Sequence, residues 1–182
     1  MSRPPVLRGE RVTLRPSRPG DAEVRARFGR TPEVSRGFGL EVPEFQSMTV
    51  DEARVQIDFE FGEGPHWVVA EENDQYLGNA RLVIDEDRPR TARYAIGLFD
   101  PTRLGCGLGT EANRLAISHG LGDGGFDRIE LAVFADNVRA IRSYEHVGFR
   151  VVDRTPGVLD RDGLFIDDVH MAVTPQTFQP GA

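Results

Sequence analysis

The chain contains no lysine; all 22 of its basic residues are arginine. A catalytic lysine or a Schiff base is therefore excluded, and the bias toward Arg, Ala, Gly, Asp and Val reads as composition rather than mechanism. There is one cysteine, Cys106, so no intramolecular disulfide can form. That suits a reducing compartment, and a cytoplasmic location is expected. The opening "MSRPPVLRGERVTLRP" lacks the apolar stretch of a secretory signal. No run approaches the roughly 18 apolar residues of a membrane span. Basic side chains are outnumbered by 29 acidic ones, for a net charge of −7, which argues against nucleic acid or an anionic membrane as partner. The acidic balance is compatible with a cationic, amine-bearing partner. The four histidines are scattered and no CxxC occurs, so no metal site is expected.

What remains is an ordinary globular composition, 39% hydrophobic and 28% charged over 182 residues. No repeat, low-complexity tract or linker interrupts it, so residues 1–182 are expected to form a single domain. Residues 11–15 alternate as a strand, and a helix follows with Asp21 as its N-cap. Residues 31–48, rich in Gly, Pro and isolated aromatics, read as irregular. Thr49 and Glu52 form a capping box for a helix that Gly62 and Gly64 end. Three strands follow, at 66–72, 75–85 and 90–99, joined by "ND" and "EDRPR" as an antiparallel meander. A helix over 107–121, a strand over 128–134, a helix over 136–148 and two strands, "FRVVDRT" and "LFIDDVHMAV", complete the chain. The order predicts a mixed α/β sheet rather than a uniform βαβ alternation.

The stretch "RLGCGLGTEANRLA" places Gly105, Gly107 and Gly109 between a strand and a helix. Backbone N–H groups free of Cβ atoms can converge there, and the helix N-terminus adds partial positive charge, so the loop suits a phosphate. The alternative is a tight turn with no ligand. It is not a P-loop, because Thr110 and Glu111 follow Gly109 where Lys-Ser/Thr is required. It departs from a dinucleotide fingerprint, because Thr110 stands where the third glycine belongs. Glu130 lies about 20 residues on, as ribose binding asks, but inside a predicted strand.

The same stretch resembles the coenzyme A loop of the GNAT superfamily of acyl-CoA N-acyltransferases, Gln/Arg-x-x-Gly-x-Gly/Ala, aligned on Gly107 and Gly109. Leu104 occupies the first position, where the family places Gln or Arg, and Arg103 falls one residue early. "DNVRAIRSYEHVGF" resembles the family's Asn-x-x-Ala-x-x-x-Tyr-x-x-x-Gly-Phe element at Asn137, Ala140, Tyr144, Gly148 and Phe149. Ala140 and Tyr144 share a helix face, so a ligand can lie against the small residue beside the phenol. The opening "LRGERVTLRPSRPGDAE" and the ending "RDGLFIDDVHMAV" resemble the RimJ/RimL branch.

The resemblance implies a single mixed, largely antiparallel sheet flanked by helices, with a splayed strand pair forming the CoA site. It implies acetyl-CoA as co-substrate and a small-molecule or peptide amine as acceptor. The amine attacks the thioester directly, so the enzyme supplies positioning, carbonyl polarisation and proton management. Leu98 and Phe99 are implied contacts of the pantetheine arm. The amides of Leu104, Gly105, Cys106, Gly107, Leu108, Gly109 and Thr110 would cradle the diphosphate, with Arg103 beside them. Asn137 would bond ligand or loop, or simply cap its helix. Tyr144 is the candidate general acid for the departing sulfur; the alternative is a packing tyrosine.

The general base stays open. Ala95-Ile96-Gly97 stand where many relatives carry a strand carboxylate, which leaves Glu130, Asp167 or a water chain. His66, His119, His146 and His170 titrate in a useful range but sit in no motif. Cys106 lies near a helix N-terminus, which favours a thiolate, but no His or Asn partner is patterned near it. Glu71-Glu72 and Asp167-Asp168 read as solvated or half-exposed pairs. Trp67 and Phe45 are either pocket lining or core. A regulatory protein that binds acyl-CoA without catalysis shares all these features. Homodimers occur among relatives, and the last strand is expected to be an exposed edge.

Overall fold

The computed structural model describes residues 4–58, 64–161 and 163–181. Eight strands are formed by β1 (Leu7–Arg8), β2 (Val12–Arg15), β3 (His66–Glu71), β4 (Tyr76–Asp85), β5 (Arg88–Leu98), β6 (Arg128–Phe134), β7 (Arg150–Arg161) and β8 (Leu164–Val173). They make one sheet in the order β1-β2-β3-β4-β5-β6-β8-β7. The helices are α1 (Asp21–Phe28), α2 (Pro32–Arg36), α3 (Val50–Asp58), α4 (Leu108–Leu121) and α5 (Val138–Glu145). Every neighbouring pair of strands is antiparallel except β5 and β6. A parallel pair needs a crossover, and α4 provides it. The fold is the mixed α/β sheet flanked by helices that the chain's pattern implies.

Strand alternation sorts the side chains onto two faces. Leu14, Val69, Leu82, Tyr94, Ile129, Val133 and Met171 are buried with Ala112, Ala116 and Ile117 of α4 and Tyr144 of α5. Val68, Ala70 and Tyr76 point the other way, against Val24 and Phe28 of α1 and Ile57 of α3. So α4 and α5 cover one face, and α1 and α3 cover the β3–β4 half of the other.

The parallel pairing of β5 and β6 is brief. It runs from Thr91↔Arg128 to Arg93↔Glu130 and stops. Beyond it each strand keeps its other neighbour: β5 stays on β4 as far as Gly78↔Leu98, and β6 stays on β8 as far as Phe134↔Asp168. The two strands part as a V, as the splayed pair was expected to.

Several local expectations are corrected. Asp21 is the first residue of α1, not its N-cap; Gly20, at φ 96°, holds that position. The Asp21 carboxylate is taken instead by the buried Arg15 guanidinium, with both oxygens at 2.8 Å. A buried arginine left unpaired would cost far more than an uncapped helix end. Residues 31–48 are not wholly irregular. Pro32 opens α2, Thr31 Oγ1 accepts the Val34 N–H at 3.4 Å, and a bridge between Arg30 and Gln46 closes the loop that follows. The β4–β5 link shortens to two residues, because Asp85 Oδ1 accepts the N–H groups of Asp87 and Arg88. The Thr49–Glu52 capping box forms in both directions, at 2.8 and 3.2 Å. Of the expected end of α3, Gly62 lies outside the described residues. The last strand is not an edge: β8 sits between β6 and β7, so β7 is the edge at that end of the sheet.

Gly148 has a structural reason to be glycine. Its φ is 105°, and a Cβ there would lie 2.1 Å from the Thr177 carbonyl oxygen. Gly148→Ala is therefore expected to lower stability by about 2–4 kcal/mol, read as a fall in the urea midpoint at unchanged slope.

Candidate functional site

The V between β5 and β6 opens into a cleft of about 1240 Å³. Its walls are Tyr94–Leu98 of β5, Ala132–Phe134 of β6, residues of α2 and α5, and the glycine loop. Where the strands part, their facing backbone edges have no strand partner. The cleft therefore offers main-chain donors and acceptors along both sides.

At one end the glycine loop turns into α4. Gly105 and Gly107 have φ of 77° and 83°, and Gly107 caps α4 without any side-chain hydrogen bond. The first-turn N–H groups of α4 are thus left for a ligand or solvent. Arg11, from the turn between β1 and β2, reaches this loop. Its Nη1 donates to the Cys106 carbonyl at 3.0 Å, and its Nη2 would lie 3.2 Å from a Cβ on Gly107. Glu111 holds Arg11 in place, accepting the Arg11 N–H at 2.8 Å, the Val12 N–H at 3.2 Å and Arg11 Nε at 3.1 Å. Burial alone would raise the Glu111 carboxyl, but these donors outweigh it and hold it below the usual range. Arg114 and Arg142 also line the cleft, and no carboxylate among the described residues pairs with either. Arg11, Arg114 and Arg142 thus line the cleft together with Glu10 and Glu111.

Beneath the cleft a polar chain ties β5, α4 and α5 together. Tyr94 Oη donates to Asn113 Oδ1 at 2.9 Å, Asn113 Nδ2 to Ser143 Oγ at 3.0 Å, and Ser143 Oγ lies 2.8 Å from Thr110 Oγ1. Tyr144, next to Ser143, is 8% exposed and packs edge-on against Phe149, with ring centroids 5.7 Å apart. It lines the cleft, and its hydroxyl bonds no described residue. Burial pushes its phenol up to about 12, so the group carries its proton at neutral pH. Ala140 lines the cleft beside it.

Of the expected contact residues, Leu98, Leu104, Gly105, Gly107, Gly109, Thr110, Asn137 and Tyr144 line the cleft; the side chains of Phe99, Arg103, Cys106 and Leu108 do not. Phe99 points to the opposite sheet face, stacked on Phe38 at 5.9 Å with the Arg25 guanidinium 4.0 Å over its ring. Arg103 is drawn into an ion pair with Glu71 of β3. Leu108 is buried in the core, and Cys106 faces solvent. Asn137 caps α5, accepting the Ala140 N–H at 3.2 Å, while it lines the cleft.

Neither side chain put forward as general base reaches the cleft. Glu130 sits where β5 and β6 still pair, and Arg88 grips it at 2.8 and 3.1 Å. That guanidinium, with Arg128, holds its carboxyl below the usual range, which makes it a poor base. Asp167 Oδ1 accepts the Gly157 N–H at 3.1 Å. Asp168, one residue on, does line the cleft. Trp67 is core, its Nε1 donating to the Pro5 carbonyl, and Phe45 is exposed away from the cleft. Among the described residues no group of His, Cys, Asp and Glu is placed to hold a metal ion, and no helix is long and apolar enough to cross a membrane.

Arg11, Glu111, Tyr94, Asn113 and Ser143 were not visible as site residues. Each is assembled by a contact between distant segments, and none carries a local signature.

The chain is 32% identical over 149 residues to a mycothiol acetyltransferase of Kytococcus sedentarius, covering 80% of this chain and 48% of that protein. It is 30% identical over 141 residues to a mycothiol acetyltransferase of Beutenbergia cavernae, covering 74% and 47%. The chain thus spans about half the length of the curated relatives it matches. Among solved structures, a GNAT-family acetyltransferase from Bacillus anthracis superposes with a TM-score of 0.76 at 16% identity, covering 94% of this chain and 99% of that one. The spermidine N-acetyltransferase of Vibrio cholerae, in complex with CoA and spermine, does so at 0.73 and 18% identity, covering 91% and 96%. With residues 11–150 matching the acetyltransferase (GNAT) domain, the chain belongs to that family.

Proposed function

We propose that this chain is an N-acetyltransferase of RimJ/RimL type that moves the acetyl group of acetyl-CoA to a primary amine by direct attack. The reading takes residues 1–182 as one such domain working in the cytoplasm. The acceptor is the amine of a small molecule or of a protein N-terminus; the kinship with mycothiol acetyltransferases favours the small molecule. One observation carries the proposal: the V between β5 and β6 ends at a helix N-terminus with no side-chain cap, beside Arg11, with Arg114 and Arg142, which pair with no carboxylate among the described residues, also lining the cleft. An elongated ligand with amides along its length and phosphates at one end fits that arrangement.

In this reading the amides from Leu104 to Thr110 hold the diphosphate, and Arg11 supplies the cation that Leu104 does not. Arg103, tied to Glu71, takes no part. The free edge of β5 over Tyr94–Leu98 pairs with the pantetheine arm. Tyr144 gives its proton to the departing sulfur and recovers one, through water, from the attacking nitrogen as the amide forms; burial keeps the phenol protonated until then. Calorimetry with CoA, together with thiol release from acetyl-CoA over a panel of amines, tests the whole. CoA heat without thiol release from any amine would establish instead a binding protein without catalysis.

Two variants test the roles. Tyr144→Phe should lower kcat by about 10²-fold with CoA affinity unchanged. The wild-type kcat should show no falling limb near pH 10, where an ordinary phenol ionises. Arg11→Ala should raise KM for acetyl-CoA by about 10- to 100-fold, as loss of charge-assisted hydrogen bonds would. With S-acetylpantetheine, which has no diphosphate, the same variant should match wild type. The backbone N–H groups of residues 11 and 12 still hold Glu111 in that variant, so an equal loss with both donors would assign Arg11 a structural role only.

A further inference from the structure

Among the described residues, the carboxylate of Asp168 has no hydrogen-bond or ion-pair partner. On β8, Val169, Met171 and Val173 are fully buried on the α4/α5 side, so Asp168 projects to the opposite face of the sheet. It stands across from Phe134 on β6 and Thr155 on β7, where the V opens. It is half-buried and lines the cleft. No hydrogen bond or ion pair joins it to any described residue.

Its neighbours on that face are all engaged. Glu130 is held by Arg88 and Arg128, and Asp136 by Arg36 and Arg161. Glu33 is held by Arg139 at 3.0 Å, and His170 Nε2 lies 2.9 Å from Thr155 Oγ1. Asp168 is thus left without a directly paired cation among the described residues, beside Phe134, over whose ring the Arg161 guanidinium lies at 6.0 Å. A half-buried carboxylate with no paired side chain is left to water or to a cationic ligand. Among the described residues, the cleft thus carries Arg11, Arg114 and Arg142 together with Glu10 and Glu111 on its walls, and Asp168 as an unpaired carboxylate on the sheet face opposite α4 and α5.

We infer that Asp168 is the acceptor-binding carboxylate, and that the acceptor is a primary alkylammonium ion seated between it and the Phe134–Phe38 wall. A primary alkyl amine is protonated at neutral pH, so it arrives with the positive charge that pairs with Asp168, and it gives that proton to water before its lone pair attacks the thioester. The carboxylate selects cationic amines and rejects acceptors that carry a carboxylate beside the amine. This rests on the transferase reading, but the site is defined by binding and can be tested apart from turnover.

Calorimetric titration with spermidine, as the alkylammonium probe, compares wild type with Asp168→Asn and with Asp167→Asn as the charge-matched control. Asp168→Asn should weaken spermidine by at least about tenfold; Asp167→Asn should leave it unchanged. Both variants should keep the wild-type heat with CoA, which reports the fold. In steady state, the Asp168→Asn loss should appear as a raised amine KM with acetyl-CoA KM unchanged. Equal spermidine affinity in wild type and Asp168→Asn, or no spermidine heat in the wild type, overturns the inference. Failure of CoA binding or of thiol release overturns the transferase reading instead and leaves the spermidine comparison able to decide on Asp168.

Discussion

The cleft depends on the point at which β5 and β6 let go of each other. Three residue pairs hold them side by side, and then each follows a different neighbour, β4 or β8. A sheet with this defect would be expected to close or collapse, because unpaired backbone groups are costly when dry. Here the helices on one face hold it open. The chain Tyr94–Asn113–Ser143–Thr110 fixes α4 and α5 to β5 across the apex, so the gap has rigid walls.

The glycine loop takes its character from the same crossover. Because β5 and β6 run parallel, the chain must climb back over the sheet, and α4 begins at the mouth of the V. Its N-terminus then points into the gap. Arg11 and Glu111 show how a distant segment completes the arrangement: a turn at the far edge of the sheet delivers a guanidinium to the loop. On the opposite face Arg161, almost wholly buried, bonds the Arg36 carbonyl at 2.9 Å and pairs with Asp136. It fastens α2 and Phe38 over the opening, and Gly39 leaves room for Phe134 beneath them.

Much of the architecture was legible. Alternation and turn residues marked β3 to β6, and the Thr49–Glu52 box marked α3, because these signals are local. Ala140 was readable as a small residue on the helix face of Tyr144, and Gly148 was marked by the family resemblance, its positive φ being shown by the structure. The misplaced charges involve competition with other side chains. Asp21 has the chemistry of a cap, yet the buried Arg15 outbids the helix end. Arg103 has the charge for a phosphate, yet Glu71 claims it. Glu130 has a base's chemistry, yet Arg88 and Arg128 enclose it.

By itself the sequence determined the family, the mixed sheet, the glycine loop and the tyrosine opposite it, since each is carried by residue types at short, regular spacing. Tertiary structure alone decided which charges remain free. Whether a carboxylate or guanidinium faces a cleft or another side chain depends on strand parity and on partners tens of residues away. Asp167 and Asp168 differ by one step along β8, and that step sends one to a backbone amide of β7 and the other into the cleft.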